Sequence, residues 1–479
     1  MGLDIKEFKT QDMVKGENAY VGNPDIIRES EQKRFRDPKL VDLVIEWEKK
    51  RLETENKASL KRKDINDIKK AIGAKKKVDK KDPCEEEMKQ KAKFEQEIKD
   101  FEAEEQEALK QRDILLGKIA NIVHESVPVH KDEEHNKIER TWNDEKVDKN
   151  WKVTEEPGFC HHHQILRMID GYDPIKGQQV AGHRGYFLKG FGFILNQALV
   201  QFGTKFLIER GYIPMQPPYF MTADKMAQTC QLSDFDEQLY KISAKHGGGQ
   251  KEESKLTEEQ STTDYYMIAT SEQPISAYHS GDWLDIKEGE PIKYAGFSTN
   301  FRKEAGSAGR ETWGIYRVHQ FEKIEQFIIC RPEESWQHHE NMVKVAEEFL
   351  QALELPYQVV NIVSGALNDA AAKKYDIEAW FPGYGEYKEL MSVSNCTDFQ
   401  ARALEVRCGQ KKKDDKIKKY VHMLNGTLCA TERTLTCILE NYQEKDGLRV
   451  PKALVPYVGT DFIKYTQPVP KMKDLQKQK

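Results

Sequence analysis

The length, composition and charge of the chain favour a soluble protein with more than one domain. Its 479 residues exceed the size at which a single hydrophobic core usually stops growing, and a charged fraction of 32% suits at least one long solvated element. The formal net charge of −5 excludes polyanion binding through the charge of the whole chain, so any such binding requires a local basic patch.

The cysteines and the amino-terminal residues indicate a cytoplasmic protein. None of the 8 cysteines forms a Cys-x-x-Cys pair, which is typical of a reducing compartment. The first residues, MGLDIKEFKTQD, have neither the apolar core of a secretory signal nor the Arg-rich character of a transit peptide. Lys6 stands where a myristoylation signal at Gly2 requires Ser or Thr. No stretch approaches the roughly 18 uninterrupted apolar residues of a membrane helix, so we expect no membrane partner.

A long helical hairpin is predicted between Leu40 and Ile119. This stretch is rich in Lys and Glu, nearly lacks Gly and Pro, and repeats its seam positions with the 3,4 spacing of a heptad. The run GAKKKVDKKDP divides it, because Gly73 can end one helix and Pro83 can begin the next. We therefore expect two helices that fold back on each other.

Antiparallel pairing aligns the two heptad seams without a gap when Leu40 stands opposite Ile119. The same alignment places Trp47 opposite Arg112, where a cation–π contact is expected. The tip of the hairpin carries five lysines, namely Lys75, Lys76, Lys77, Lys80 and Lys81. The cluster suits contact with a phosphate backbone, but a solvated loop explains it equally well.

Beyond Val127 the composition changes to that of a globular domain containing both helices and strands. Gly, Pro, aromatic and β-branched residues return, and strand-like runs such as EQFIIC and YQVVNIV alternate with short helical patterns. The polar, Gly-rich run at 245–262 predicts a mobile surface loop.

Familiar phosphate-binding and metal-binding motifs are missing from the sequence. Neither GxxxxGK[ST] nor a complete GxGxxG occurs, and GYGEYK from Gly383 is interpreted as a turn. HExxH is absent, and the run Cys160-His161-His162-His163 has no second cluster at zinc spacing. We interpret these histidines as structural or surface residues.

The block FRKEAGSAGRETWGIYRVHQFEKIEQF, from Phe301 to Phe327, predicts an antiparallel hairpin with one charged face. Arg302 and Glu304 are two positions apart and would share a face if both lay on a strand. The Gly-containing segment would then turn the chain. Taken alone, this block is explained as well by an amphipathic hairpin with solvated charges.

Within this block, FRKEAG and GIYRVHQFEK resemble motif 2 of the class II aminoacyl-tRNA synthetases, in the form of the seryl-tRNA synthetase family. RGYIPMQPPY from Arg210 resembles motif 1, and LNGTLCATERTLTCILEN from Leu424 resembles motif 3. ATSEQP and KELMSVSNCTDFQARAL resemble further seryl-type blocks, and the predicted hairpin resembles the tRNA-binding arm of this family. The resemblance extends over nearly the whole chain.

The resemblance implies an α+β protein with a long antiparallel helical hairpin, or coiled-coil arm, at its amino terminus. A class II synthetase catalytic domain, built on a mostly antiparallel β-sheet flanked by helices, would follow. The implied divisions are an N-terminal tRNA-binding domain at 1–125 with its arm at about 40–119, a catalytic domain at 126–460 and a basic C-terminal tail at 461–479.

The resemblance also assigns roles to residues. Its catalytic residues are Arg302, Glu304 and Arg433, and the guanidinium of Arg302 suits charge developing on a phosphate because it stays protonated. Serine is assigned to Thr270, Ser271, Glu272, Arg302, Glu325, Asn425 and Thr427. ATP is assigned to Arg302, Lys303, Glu304, Arg317, Val318, His319, Gln320, Phe321, Glu389, Leu390, Met391, Ser392 and Arg433. Mg²⁺ held with ATP is assigned to Glu389 and Ser392, and tRNA to the five lysines of the tip.

The implied activity is that of a serine–tRNA ligase. Serine and ATP form seryl-adenylate, and the serine is then transferred to the 3′ end of tRNA(Ser), with tRNA(Sec) as a further substrate and a homodimer as the assembly. One alternative is a catalytically silent paralogue with an RNA-binding or regulatory role, which the intact Arg302, Glu304, Glu325 and Arg433 disfavour. A coiled-coil scaffold protein explains only the first quarter of the chain. Another class II synthetase is disfavoured by the long hairpin that precedes the catalytic block.

Overall fold

The computed structural model describes residues 2–14, 20–154, 156–230, 237–243, 264–304, 309–410 and 419–471. The chain divides into two compact units, residues 1–122 and 123–479. The surface loop predicted at 245–262 and the end of the predicted basic tail lie outside the described residues.

Two long antiparallel helices dominate the first unit, which confirms the predicted hairpin. Its helices are α1 (Pro24–Lys33), α2 (Lys39–Val78) and α3 (Glu85–Leu116). An apolar cluster closes the base of the hairpin and contains Phe8, Ile27, Val41, Val44, Leu116 and Ile119. Farther along the arm the buried seam residues include Ala58 and Ala108, whose small side chains let the two helices approach closely.

The prediction that Gly73 ends the first helix is wrong. Helix α2 continues through Gly73 to Val78, so Lys75, Lys76 and Lys77 form its last turn. A glycine inside a helix costs only about 1 kcal/mol relative to alanine. Basic side chains in the last turn interact favourably with the negative end of the helix dipole and help to offset that cost.

The predicted contact between Trp47 and Arg112 is also wrong. The guanidinium of Arg112 donates to Glu48 at 2.7 Å and to Asp113 at 2.6 Å, whereas Lys50 lies over the ring of Trp47 at 4.8 Å. Glu48 is buried, and a buried carboxylate without a cationic partner is far more costly than an uncovered aromatic face. The ion pair therefore determines where the Arg112 side chain lies.

An eight-stranded sheet flanked by helices forms the second unit. The helices are α4 (His162–Met168), α5 (Pro174–Ala181), α6 (Gly190–Ile208), α7 (Ala223–Thr229), α8 (Glu272–Tyr278), α9 (Ser335–Ala352), α10 (Phe399–Ala403), α11 (Thr431–Asn441) and α12 (Val455–Val458). The strands are β1 (Lys137–Trp142), β2 (Tyr172–Asp173), β3 (Phe187–Leu188), β4 (Ile213–Met215), β5 (Phe220–Thr222), β6 (Lys241–Ser243), β7 (Asp264–Met267), β8 (Trp283–Leu284), β9 (Ile292–Phe301), β10 (Gln320–Cys330), β11 (Tyr357–Asn361), β12 (Lys373–Phe381), β13 (Glu386–Asn395), β14 (Arg407–Cys408), β15 (His422–Ala430), β16 (Gly447–Arg449) and β17 (Phe462–Lys464).

The strands of the large sheet follow the order β1-β11-β12-β13-β15-β10-β9-β4. Its neighbouring strands are antiparallel except β4 and β9, which run parallel, so the predicted mostly antiparallel sheet is confirmed. Strand β15 is buried along nearly its whole length, and it lies between β13 and β10. Side chains on β13, β15 and β10 therefore lie next to one another in the sheet.

Helix α6 is apolar because it belongs to the core. Within the described part of the chain it is one helix long and apolar enough to cross a membrane. Its residues Leu195, Leu199 and Leu207 are fully buried. Gly203 lets it approach the sheet closely, since a Cβ there would lie 2.6 Å from the Cδ1 atom of Ile324 on β10.

Candidate active site

Arg302 and Glu304 follow β9 and do not lie on it, which corrects the prediction that they share one face of a strand. Strand β9 ends at Phe301, and a φ of 47° at Glu304 turns the chain out of the extended conformation. The backbone of Arg302 is nevertheless held, because its N–H donates to the carbonyl of His319 at 2.9 Å. The turn directs both side chains into one cleft.

The cleft lies beside β10, β13 and β15 and the first turn of α11. It is lined by Arg302, Glu304, Tyr316, Arg317, Val318, Phe321, Lys323, Glu389, Leu390, Ser392, Thr427, Ala430, Glu432 and Arg433. Most of the residues predicted to bind ATP are therefore brought together from segments far apart in the chain.

Two guanidinium groups converge on this cleft. Arg302 lies over the ring of Phe321 at 5.2 Å and donates through Nε to the carbonyl of Ala269 at 3.3 Å. Burial lowers the pKa of Arg302, and the nearby charge of Arg433 lowers it further. The group stays protonated because the reference pKa of arginine is so high. Two partly buried cations side by side form a strong site for a polyanion.

Arg433 is held by an aromatic ring and a carboxylate. Its guanidinium lies over Tyr316 at 5.3 Å and donates to the backbone carbonyl and to Oε2 of Glu389, at 3.3 and 3.4 Å. Burial opposes ionisation of Glu389, but Arg433, Lys374 and Arg302 outweigh burial and lower the pKa of that carboxyl. Glu389 therefore presents an ionised carboxylate to the cleft.

A second group of polar side chains adjoins the cleft at Lys323. The ammonium of Lys323 donates to Thr270 Oγ1 at 2.8 Å and forms an ion pair with Glu325. It also lies 3.5 Å from Thr427 Oγ1. This group joins the ends of β7 and β15 to the middle of β10, and it brings together three of the residues predicted to bind serine.

Glu272 completes this group of side chains. Its Oε1 accepts hydrogen bonds from Gln400 Nε2 at 2.6 Å and from Asn425 Nδ2 at 2.9 Å. Burial raises the pKa of Glu272 to about 7, with a further contribution from the charge of Glu325. Glu272 thus lies between two amide donors and a second carboxylate.

Several residues around the site were missed by the sequence analysis. Lys323 lies on the same face of β10 as Phe321 and Glu325, because side chains two positions apart in a strand point to the same side. This spacing could have identified Lys323 from the sequence. Tyr316 and Glu432 directly precede Arg317 and Arg433, so each stands next to a residue that was predicted to belong to the site. Gln400 had no comparable signal, because it approaches Glu272 from α10.

Four residues predicted to bind ATP are absent from the lining of the cleft: Lys303, His319, Gln320 and Met391. Met391 is fully buried in the core of the sheet, and Gln320 is exposed at the start of β10. Successive residues of a strand face opposite sides, which separates Gln320 from Phe321 on β10 and Met391 from Ser392 on β13. Ser271, predicted to bind serine, has a fully buried hydroxyl group packed against Gly296.

Comparison with known proteins establishes the family. The seryl-tRNA synthetase N-terminal domain matches residues 3–123, and the class II core domain of the G, H, P, S and T synthetases matches residues 255–442. The cytoplasmic serine–tRNA ligase of Schizosaccharomyces pombe is 50% identical over 485 residues, which cover 100% of each chain. The chain belongs to the seryl-tRNA synthetase family. The resemblance inferred from the motifs is confirmed.

Other members of the seryl-tRNA synthetase family are similar to this chain over nearly its whole length. The cytoplasmic serine–tRNA ligase of Dictyostelium discoideum is 48% identical and covers 100% of this chain and 98% of its own. The crystal structure of the cytoplasmic serine–tRNA ligase of Naegleria fowleri with AMP has a TM-score of 0.80 at 43% identity, covering 98% and 100% of the two chains. The Pyrococcus horikoshii enzyme with ATP has a TM-score of 0.80 at 36% identity, covering 93% and 98%.

Proposed function

We propose that the protein activates serine with ATP and transfers it to serine tRNA in the cytoplasm. The observation that carries this proposal is the junction at Lys323 between two sites. One is a cleft with two partly buried guanidinium groups, and the other is an adjoining cluster of carboxylates and hydroxyls. Full-length similarity to cytoplasmic serine–tRNA ligases supports both the activity and the location. It gives no support to a silent paralogue.

In the nucleotide cleft each group has a role that its chemistry suits. Phe321 offers a ring for the adenine base, and Glu304 offers a carboxylate to its amino group. Arg302 neutralises charge that develops on the α-phosphate, where a preorganised cation is most effective. Arg317 pairs with Glu304 at 3.2 Å and with Glu311 at 3.0 Å. An incoming triphosphate therefore competes for a cation that is already oriented towards the cleft.

The second pocket fits an amino acid with a small hydroxyl side chain. Glu325 and Glu272 supply carboxylates for an ammonium group and a hydroxyl group, and Thr270 supplies a further polar partner. Alanine would leave these polar groups without a hydroxyl partner. The enclosing amide groups of Gln400 and Asn425 limit the movement of Glu272.

Glu389 and Ser392 are the residues that would hold Mg²⁺. Both line the cleft, and their carboxylate and hydroxyl oxygens are hard donors of the kind Mg²⁺ prefers. The low pKa of Glu389 keeps its carboxylate ionised for this purpose. When bound there, Mg²⁺ supplies positive charge to the outer phosphates.

A homodimer is part of the proposal. Strand β4, which contains part of the motif 1 resemblance, lies at one end of the large sheet. Ile213 on this strand is an exposed apolar side chain, as are Ile208 at the end of α6 and Phe220 on β5. A partner subunit would cover them, since exposed apolar side chains of this kind mark interaction surfaces.

We also propose that the lysines at the tip of the arm bind tRNA, including tRNA(Sec).

ATP/pyrophosphate exchange across the twenty amino acids tests the proposed activity. Only serine should support exchange above background, and Arg302→Lys should lower kcat/KM by about 100-fold or more, because lysine cannot reproduce the guanidinium fork. Arg449→Lys, at an exposed ion pair with Glu444, is the matched control and should leave exchange unchanged. A folded wild-type protein without serine-dependent exchange would favour the silent paralogue.

A further inference from the structure

A buried cluster of three histidines and one glutamate lies behind the nucleotide cleft. His161, His162 and His163 are buried at the start of α4, which places them inside the protein and not at its surface. Glu440 is buried near the end of α11, the helix whose first turn carries Arg433. Residues 433 and 440 are about two turns apart and therefore share one face of the helix. One rigid element thus connects the cluster with the cleft.

The carboxylate of Glu440 joins two other segments of the chain. Its Oε2 accepts the backbone N–H of Gly383 at 2.9 Å, and its Oε1 accepts the backbone N–H of His162 at 3.2 Å. The Nδ1 atom of His162 lies 3.2 Å from the same Oε1, and that of His161 lies 3.6 Å away. Burial would raise the pKa of Glu440, but the adjacent rings of His161 and His162 outweigh burial and lower it to about 2.

The second ring nitrogen of His162 holds the segment that leads into the cleft. The backbone N–H of Ile315 donates to Nε2 at 3.4 Å. Because Nε2 accepts this bond, the proton of the neutral imidazole resides on Nδ1 and is donated to Glu440. Gly314, with a φ of 62°, packs so closely that a Cβ there would lie 2.2 Å from Nε2. His162 therefore bridges a fixed carboxylate and the backbone at residue 315.

The two residues that follow Ile315 both line the cleft. The ring of Tyr316 lies under the guanidinium of Arg433 and is held in place by Phe381 and Tyr384, at centroid distances of 5.5 and 5.3 Å. Arg317 extends into the same cleft. A displacement of the backbone at residue 315 would move Tyr316, which supports Arg433, and would also move Arg317.

We propose that His162 and Glu440 are positioning residues for ATP binding. Neither lines the cleft, and each acts through the backbone of Ile315, which places Tyr316 and Arg317. The proposed serine site is built on β10, α8, α10, β15 and Thr270, so its geometry depends little on this bridge. The inference rests on the proposed ATP-dependent activation of serine and identifies residues that determine the affinity for ATP.

Exchange assays that vary ATP and serine separately test this role. His162→Phe keeps an aromatic ring but removes both ring nitrogens, and it should raise the KM for ATP about tenfold while the KM for serine changes less than twofold. His162→Gln can place an acceptor near the Nε2 position and should restore most of the ATP affinity. His163→Phe is the matched control, because His163 is equally buried and its ring contact with Trp313 would be retained.

Circular dichroism melting shows whether each variant is folded. If His162→Phe does not fold, the decision passes to Gly314→Ala, which forces the same segment away from Nε2 and should also raise the KM for ATP selectively. Equal increases in both KM values, an unchanged KM for ATP in folded variants, or the same effect from His163→Phe would overturn the positioning role. A wild-type protein without exchange would overturn the proposed function as well, so the two failures are distinguishable.

Discussion

At the scale of single residues, Glu272 carries a charge that the unliganded fold disfavours. Burial and the neighbouring Glu325 raise its pKa to about 7, from a reference value of 4.5. The folded state therefore binds a proton more tightly than the unfolded state does. Ionisation of Glu272 lowers stability as the pH rises from about 4.5 to about 7, and the loss is complete above that range. If serine binds to this ionised carboxylate, the protein without serine bears the corresponding loss of stability.

Glu272→Gln should separate stability from function. The variant removes the buried charge, so its thermal midpoint should exceed that of the wild type by a margin that grows from pH 4.5 to pH 7 and then levels off. The same variant should raise the KM for serine, because an amide is a weaker acceptor than a carboxylate. Melting curves at pH 5 and pH 8, without ligand, measure the margin. A margin that does not change with pH would show that Glu272 is not ionised differently in the two states.

At the scale of elements, buried ion pairs determine the alignment of the arm. Glu48 is nearly inaccessible to solvent and pairs with Arg51 at 3.0 Å on its own helix and with Arg112 at 2.7 Å on the other. Burial would raise the pKa of Glu48, but the hydrogen bonds from Arg51 and Arg112 lower it. Another register of the two helices would remove Arg112 from Glu48 and leave Arg51 as the partner of this buried carboxylate, which is destabilising.

The last turn of α2 should bind tRNA without contributing to adenylate formation. Simultaneous replacement of Lys75, Lys76 and Lys77 with alanine should weaken tRNA charging and reduce its dependence on salt, because each phosphate contact releases counterions. Exchange should be unaffected. The matched control replaces the exposed Lys57, Lys63 and Lys69 of the same helix. Equal losses of charging and exchange after the tip replacement would mean that the tip is structural.

At the scale of the whole molecule, the residues of both pockets belong to the second unit. A chain reduced to residues 123–479 should therefore keep serine-dependent ATP/pyrophosphate exchange and lose most tRNA charging. Both activities can be measured on the same preparation, with the full chain as reference. Loss of exchange in a shortened chain that still melts cooperatively would show that the first unit contributes to amino acid activation.

The sequence by itself determined the elements whose patterns are local. The heptad spacing predicts two helices that pair, and the run EQFIIC predicts a strand where β10 lies. The resemblance to motif 2 also led to Arg302 and Arg317, which the structure brings into the cleft. The helices and the strand depend on residues a few positions apart, so the printed order of residues is enough to find them.

Only the tertiary structure decided which distant residues meet. In the folded chain Gln400 donates to Glu272, and the backbone N–H of Ile315 donates to His162. Arg112 donates to Glu48 and is not the partner of Trp47. The structure also showed that Arg302 follows its strand. The side-chain pairings depend on burial and on three-dimensional distance, neither of which is encoded in the spacing of residues along the chain.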